Sequence, residues 1–356
     1  MTSLPALPID DAFRAASDHS PHPTRLYVNL GERCNIRCVH CITDAPHKTK
    51  TGTAQVMGDD VVVALRPHLQ HINYVGLTHA GEPMIQPGFH RFLDELRQQR
   101  EARPTVVHLL SNGVALNPER FVHVVQRGVS SIAISLDGAS ASSNDIVRIG
   151  STATTILDRL KQFVALRHEH QLNVRLGMSV VVTALNIDEL AKLVVVVADA
   201  GLEWIKFEEL FVDPDHLERQ PLVASAQATA RAIHDAKTQA DKVGVVVVDH
   251  TRSLNAWRCQ LSGSPSKAAF AAADNFANRT EINVCRQPYE QACIEPNGDV
   301  RPVSFHHPVA GNVLREDLMA IWQSEICVDV RRQQQRVRPC GVGPTTCNVD
   351  PGWSFW

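Results

Sequence analysis

Three cysteines, Cys34, Cys38 and Cys41, stand together in the run Cys34-Asn35-Ile36-Arg37-Cys38-Val39-His40-Cys41. The spacing CxxxCxxC puts three thiolates on one tight loop. That suffices to hold three irons of a [4Fe–4S] cube and leave the fourth iron open. A zinc site would close its tetrahedron with a fourth protein ligand nearby, as a rule from a second CxxC or a His pair. His40 and His47 are the near candidates, and neither stands at a standard zinc spacing.

The loop needs a scaffold, and the pattern around it supplies one. Short β-branched runs at 26–31, 72–78, 105–111, 131–137, 173–183, 204–211 and 243–249 read as strands. Helical patterns near 59–70, 88–101, 117–128, 151–170, 186–200 and 223–242 alternate with them. Such repetition predicts parallel βαβ units with right-handed crossovers. Runs such as Ser179-Val180-Val181-Val182 are uninterrupted, as in strands buried on both faces. Six or more units would curl into a full or partial (β/α) barrel, whose chemistry sits at the strand C-terminal ends. The cysteine loop follows the first strand, so it is expected on that rim. Residues 1–24 read as a Pro-containing extension, 25–250 as the barrel, 251–282 as an Ala-, Ser- and Asn-rich connector, and 283–356 as a C-terminal lobe.

The 356 residues are 44% apolar and 21% charged, with ample core for a globular chain. A net charge of −3 offers no general attraction to nucleic acid or to acidic membranes. No apolar run approaches the ~20 residues that cross a bilayer, and the first residues lack the pattern of a signal peptide. Nine cysteines, an odd number with three at ligand spacing, argue for reduced thiols and a cytoplasmic metalloprotein.

Other strand ends carry further chemistry. Thr78-His79-Ala80-Gly81-Glu82-Pro83 ends the second strand, where small residues let backbone approach a ligand; alone, it is an ordinary turn. Leu110-Ser111-Asn112-Gly113 and Ile134-Ser135-Leu136-Asp137-Gly138 end the next two, with side chains suited to a ribose or carboxylate, or merely to capping loops. Arg148 follows in Asp145-Ile146-Val147-Arg148, where a surface ion pair is the plain alternative.

Taken in order, these segments resemble the radical S-adenosylmethionine (SAM) superfamily. The resemblance spans residues 28 to 148, with Ala80 in place of the first glycine of the family's GGEP. It implies a partial (β/α)6 barrel, and a [4Fe–4S] cluster on Cys34, Cys38 and Cys41 whose open iron chelates SAM. It further implies reductive cleavage of SAM to a 5′-deoxyadenosyl radical. Ala80, Gly81, Glu82, Ser111, Asn112, Ser135, Asp137 and Arg148 would then cradle SAM, and His40 would take the aromatic slot before the third cysteine. An electron donor of the flavodoxin or ferredoxin type is implied as partner.

A second resemblance, to the SPASM or twitch extension, runs from Cys285-Arg286-Gln287-Pro288-Tyr289 through Ile294-Glu295-Pro296-Asn297-Gly298-Asp299 and Gly311-Asn312-Val313 to Cys340 and Cys347. Asn297-Gly298 also reads as a hairpin turn on local grounds alone. The cysteines depart from the family pattern: Val303, Ser304 and Phe305 stand where a cysteine is usual, and the closing pair is stretched. Two four-cysteine clusters would need up to eight ligands, and only Cys259, Cys285, Cys293, Cys327, Cys340 and Cys347 remain. Either one auxiliary cluster forms, on Cys285, Cys340, Cys347 and Cys293 or a histidine such as His306 or His307, or the extension carries none.

Glu208, Glu209, Asp213, Asp249 and His250 fall near strand ends as acid–base candidates, though carboxylates there often serve as caps. Cys293, Cys259 or Cys327 could donate a hydrogen atom, though free cysteines are more often small core residues. The peptide-modifying relatives often bring a leader-binding module or a complete two-cluster extension. With 24 residues before the first strand, the sequence leads us to expect a small polar metabolite (sugar, aminoglycoside or nucleoside) undergoing oxidation, epimerisation, elimination or decarboxylation. A peptide maturase acting on a short peptide is the alternative, followed by a non-catalytic iron–sulfur or zinc-binding protein.

Overall fold

The computed structural model describes residues 20–78, 80–100, 105–210, 212, 214–251, 287–305 and 307–335. Its centre is one ten-stranded sheet. Strand β1 (Arg25–Val28) lies beside β3 (Tyr74–Leu77), then come β4 (Val106–Ser111), β5 (Ser131–Ser135), β7 (Arg175–Val182), β8 (Trp204–Glu209) and β9 (Val246–His250), each neighbour parallel. Two short strands, β2 (Arg37–Cys38) and β6 (Arg148–Ile149), form a separate antiparallel ribbon.

The helices follow the expected order. After β1 come α1 (Ala45–Thr51) and α2 (Asp59–Leu65), and α2 passes at Arg66–Pro67 into a 3₁₀ stretch that ends at His71. Then come α3 (Phe89–Arg100), α4 (Pro118–Gln126), the short α5 (Ala141–Asn144), α6 (Ala153–Glu169), α7 (Leu190–Asp199) and α8 (Ala226–Val243). Their starts are written locally. Asn117, Thr152 and Ser225 each accept a hydrogen bond from the backbone N–H three residues on, and Pro118 fills the first helical position, where no N–H is needed.

The C-terminal segment is not set apart from this sheet. After α9 (Gln287–Glu290), β10 (Gln291–Ile294) pairs in parallel with the free side of β1, in register Tyr27 with Cys293. It turns at Asn297-Gly298 into the antiparallel β11 (Asp299–Pro302), which pairs with β12 (Gly311–Asn312). Two helices close the segment, α10 (Leu318–Trp322) and α11 (Glu325–Gln335). There the buried Arg331 guanidinium lies 4.2 Å over the Trp322 ring and donates to the carbonyls of Trp322 and Pro288.

Strand periodicity separates two environments. Leu26, Val28, Val107, Leu109, Ile132, Ile134, Leu176, Met178, Val180, Ile205, Phe207, Ala292 and Ile294 join the apolar core under the helices. Their alternates point the other way: Tyr27, Tyr74, His108, Leu110, Ser135, Val181, Trp204, Lys206, Glu208, Val248, His250 and Gln291 line one cavity. The strands expected to be apolar on both faces are therefore apolar on the helix side and mixed within. Of Val180-Val181-Val182, only Val181 reaches the cavity.

Candidate active site

The cavity, about 360 Å³ in volume, opens at the C-terminal ends of the parallel strands. Cys34, Cys38 and Cys41 all line it, each half-buried. Among the described residues, no three His, Cys, Asp or Glu side chains are arranged to hold a single metal ion.

The loop is fixed by three strand ends. Gly81 turns with φ +65°, pressed against the backbone of Gly31 and Arg33, and the Glu82 N–H donates to the Arg33 carbonyl at 2.8 Å. The Glu82 side chain is fully buried. It accepts from Ser111 Oγ (2.8 Å), Asn112 N (2.7 Å) and Met84 N (3.1 Å). Burial raises its pKa while those donors oppose the rise. Glu82 thereby ties the ends of β3 and β4 to the cysteine loop. Asn112 extends from that junction, donating to Asn35 Oδ1 at 2.8 Å and towards Cys34 Sγ at 3.9 Å.

The β2–β6 ribbon carries the other anchor. Arg148, fully buried, reaches Asp137 with Nε at 2.7 Å and Nη2 at 3.0 Å, and directs Nη1 to Cys38 Sγ at 3.8 Å. Asp137 also accepts from Val181 N and faces His40 Nε2 at 3.3 Å. Burial pushes His40 down to about 4, against the pull of Asp137. Burial pushes the Cys38 thiol up to about 12, with Arg148 opposing, and raises Cys34 as well. Metal binding is what turns such thiols into thiolates.

The proposed SAM-cradle residues thus divide. Gly81, Glu82, Ser111, Asn112, Ser135 and Arg148 line the cavity, while Ala80 and Asp137 stand behind the lining. Arg148, expected in the SAM cradle, has its guanidinium engaged by Asp137 and Cys38.

Opposite the cysteines stands a wall that the strand reading only touched. On β8, Lys206 and Glu208 project to the same side and form an ion pair. Across the β8–β9 register Glu208 faces His250, whose Nδ1 is 3.9 Å away. Glu209 also lines the cavity. Asp249, another acid–base candidate, does not: it is buried on the helix side, paired with Lys237 of α8 at 2.8 Å and accepting from Thr251. Within β9 the side-chain period of two turns Asp249 to the helix side and His250 to the cavity.

Below, Tyr27, Tyr74, His108 and Trp204 close the floor, with His108 stacked 6.4 Å from Tyr74 and tilted 6.0 Å from Trp204. A Cβ at Gly177 would fall 2.1 Å from the Trp204 ring, so the glycine makes room for the indole. Burial pushes His108 down to about 3, and its Nδ1 lies 2.9 Å from Ser131 Oγ. These floor residues and Lys206 escaped sequence reasoning. The signal was the alternation of Trp204, Lys206 and Glu208 along β8, which places a polar series on the inner face.

Cys293 sits in this interior against Tyr27 and Tyr74, its Sγ donating to the Val303 carbonyl at 3.0 Å. Burial raises its pKa well above the ordinary thiol value, as it does for Cys38 and Cys34. Val303 adopts φ 67°, rare for a β-branched residue. His307 is buried against Ser304 Oγ, and Cys327 is a core residue of α11. Cys259, Cys285, Cys340, Cys347, Asp213 and His306 lie outside the described residues.

Comparison with known proteins agrees with this geometry. Residues 28–196 match the radical SAM superfamily profile, and residues 285–348 match SPASM, an iron–sulfur cluster-binding domain. The chain belongs to the radical SAM superfamily and carries a SPASM region, with a [4Fe–4S] cluster and SAM as cofactors. It is similar to mycofactocin maturase MftC of Mycobacterium tuberculosis (strain ATCC 25618 / H37Rv), 24% identical over 90% of this chain and 75% of that protein. A shorter match to MftC of Mycobacterium ulcerans is 31% identical but spans 38% of this chain and 35% of that one. The PqqA peptide cyclase of Streptomyces rochei is 22% identical over 90% and 82% of the two chains. Among solved structures, Streptococcus suis SuiB bound to S-adenosylmethionine shares the fold, with TM-score 0.63, 13% identity and coverage of 89% and 70%. No described helix is long and apolar enough to cross a membrane.

The residues present suit the cluster. Three thiols line one cavity, and two of them face N–H donors of Asn112 and Arg148, the arrangement that stabilises cluster sulfurs.

Proposed function

We propose that this radical SAM enzyme modifies a peptide, with Glu208 as the proton acceptor of its active site. The observation that carries the second part is the shared cavity: the three cysteines line one wall and Glu208, between Lys206 and His250, lines another. The first part is supported by relatives that run along nine-tenths of the chain and are named a maturase and a peptide cyclase. They favour a peptide over the small polar metabolite expected from sequence.

When bound, the cluster and SAM supply a carbon radical that takes a hydrogen atom from an unactivated C–H bond. The protein's own part is placement and proton handling. Tyr27, Tyr74, His108 and Trp204 keep water from entering through the floor. Cys34, Cys38 and Cys41 would hold the cluster, and Gly81, Ser111, Asn112 and Ser135 would flank SAM. In an oxidative outcome, a proton would leave the substrate carbon or its heteroatom for Glu208, and the electron left on the substrate would pass to an iron–sulfur cluster as acceptor. Lys206 holds that carboxylate in place, and His250 Nδ1 stands 3.9 Å from it.

The test is anaerobic turnover with short peptides, sugars, aminoglycosides and nucleosides. The reading expects 5′-deoxyadenosine formation stimulated by a peptide, with deuterium carried from labelled peptide into it. Stimulation by the small metabolites alone would reject the peptide. For Glu208→Gln, the expectation is retained SAM cleavage and deuterium transfer with product formation lowered ~10²-fold or more, the usual contribution of a general base. Equal loss of both would remove Glu208 from proton transfer.

A further inference from the structure

We propose that the solvent side of the β2–β6 ribbon is the docking face for an acidic one-electron carrier protein of the flavodoxin or ferredoxin kind. The inference rests on the reductive chemistry of the radical SAM site and not on the peptide reading.

The ribbon is one strand thick and has two unlike faces. Cys38 and Arg148, paired across it, turn inwards and line the cavity. Arg37 and Ile149, the neighbouring pair, turn outwards and are exposed, as is Val39, next on the same face as Arg37. Ile146, at the approach to β6, is 54% exposed, Ile149 38% and Val39 37%. Three large apolar side chains therefore surround the solvent side of a cluster ligand, and none of them serves the core. Apolar side chains within a polar rim are characteristic of a protein contact.

Charge selects the partner. Residues 32–50 contain Arg33, Arg37, Lys48 and Lys50 against Glu32 and Asp44, four cations to two acids, in a chain of net charge −3. The acids are engaged: Glu32 pairs with Lys48, and Asp44 lies 4.0 Å from Arg219. Arg33, Arg37 and Lys50 are exposed, and no described residue forms an ion pair with them. The cysteine loop and α1 thus carry an excess of exposed cations on a protein that is acidic overall, with Asp145, which accepts from Ala153 N and Asn144, as the acid on the β6 side. That orients an acidic carrier with its redox centre towards Cys38 and disfavours random encounter elsewhere. The step is a single electron transfer: the reduced carrier is oxidised, the cluster is reduced, and no bond forms or breaks.

The test uses the reconstituted full chain and compares wild type, Arg33→Glu/Arg37→Glu and Val39→Asp with Lys161→Glu. Lys161 is exposed on α6 and serves as a charge control. The rate of 5′-deoxyadenosine formation is measured with reduced flavodoxin and, separately, with dithionite. Binding of oxidised flavodoxin is measured by calorimetry at low and high salt. The proposal expects the flavodoxin-driven rate to fall at least tenfold in the ribbon variants, with a matching tenfold weakening of Kd. The dithionite-driven rate and the Lys161→Glu variant should be unchanged. High salt should reduce wild-type affinity towards that of the double arginine variant. Equal loss with dithionite would mean the ribbon acts on the cluster itself. Undiminished flavodoxin reduction, or equal loss in Lys161→Glu, would place docking elsewhere. Wild type that accepts electrons from neither an acidic flavodoxin nor an acidic ferredoxin would overturn the proposal outright. A failed peptide assay leaves each of these readouts intact.

Discussion

Replacing Gly81 by alanine is expected to cost more than replacing Gly244, although both glycines have nearly the same backbone conformation. Gly81 has φ +65° and Gly244, which ends α8, has φ +72°. The left-handed conformation should cost an alanine about 1–2 kcal/mol at either site. Surroundings make the difference. A Cβ at Gly244 meets nothing within 4 Å, whereas at Gly81 it would lie 2.4 Å from the Gly31 carbonyl oxygen, 2.6 Å from that of Arg33 and 2.8 Å from the Glu32 carbonyl carbon. All three are backbone atoms at the entry to the cysteine loop, and the Glu82-to-Arg33 hydrogen bond holds them close. They cannot yield by rotating a side chain. Overpacking of this kind adds about 1–3 kcal/mol, so Gly81→Ala should lose about 2–5 kcal/mol in all. Urea unfolding of both apo variants under anaerobic conditions measures this directly. Iron per chain after reconstitution then reports the loop: Gly244→Ala should load as wild type, and Gly81→Ala should load poorly. Equal destabilisation with equal iron would refute the claim that this turn positions the ligands.

Further outcomes follow from the buried groups. Asp137→Asn leaves Arg148 buried without its counter-charge, and should cost about 3–5 kcal/mol in urea unfolding, recovered in part by adding Arg148→Met. His108 is held neutral by burial, with its pKa pushed down to about 3. The unfolded chain therefore binds the extra proton between pH 6.5 and 3, and stability should rise with pH through that window and level off above it. Between pH 5 and 7 the rise should be about 2 kcal/mol, and His108→Gln should remove it; an unchanged slope would reject the assignment. Gly177→Ala should displace the Trp204 indole, visible as a shift in tryptophan emission, with the cavity floor opened to water. A Cys34/Cys38/Cys41→Ala variant that still holds about four irons per chain would establish an auxiliary cluster, and one without iron would leave the SPASM region as a metal-free part of the fold.

Much of this protein was legible in one dimension because local rules govern it. The cysteine spacing depends on a single loop, the strand–helix alternation on hydrophobic period, and the caps at Asn117, Thr152 and Ser225 on neighbours three residues away. These fixed the barrel class, the rim position of the loop and the motif-bearing strand ends. The direction of side chains at those ends was not legible, since a period of two tells which residues share a face but not which face is inside. Asp249 and His250 were equal candidates until the sheet sent one to Lys237 and the other towards Glu208. Arg148 and Asp137 are 11 residues apart and could have served SAM separately; folding of the β2–β6 ribbon turned them into one buried pair against Cys38. The pairing of β10 with β1, some 266 residues away, brings Cys293 beside Tyr27 and Tyr74. Contacts at such separation depend on which edge of the open sheet the returning chain joins, and only the tertiary structure decides that.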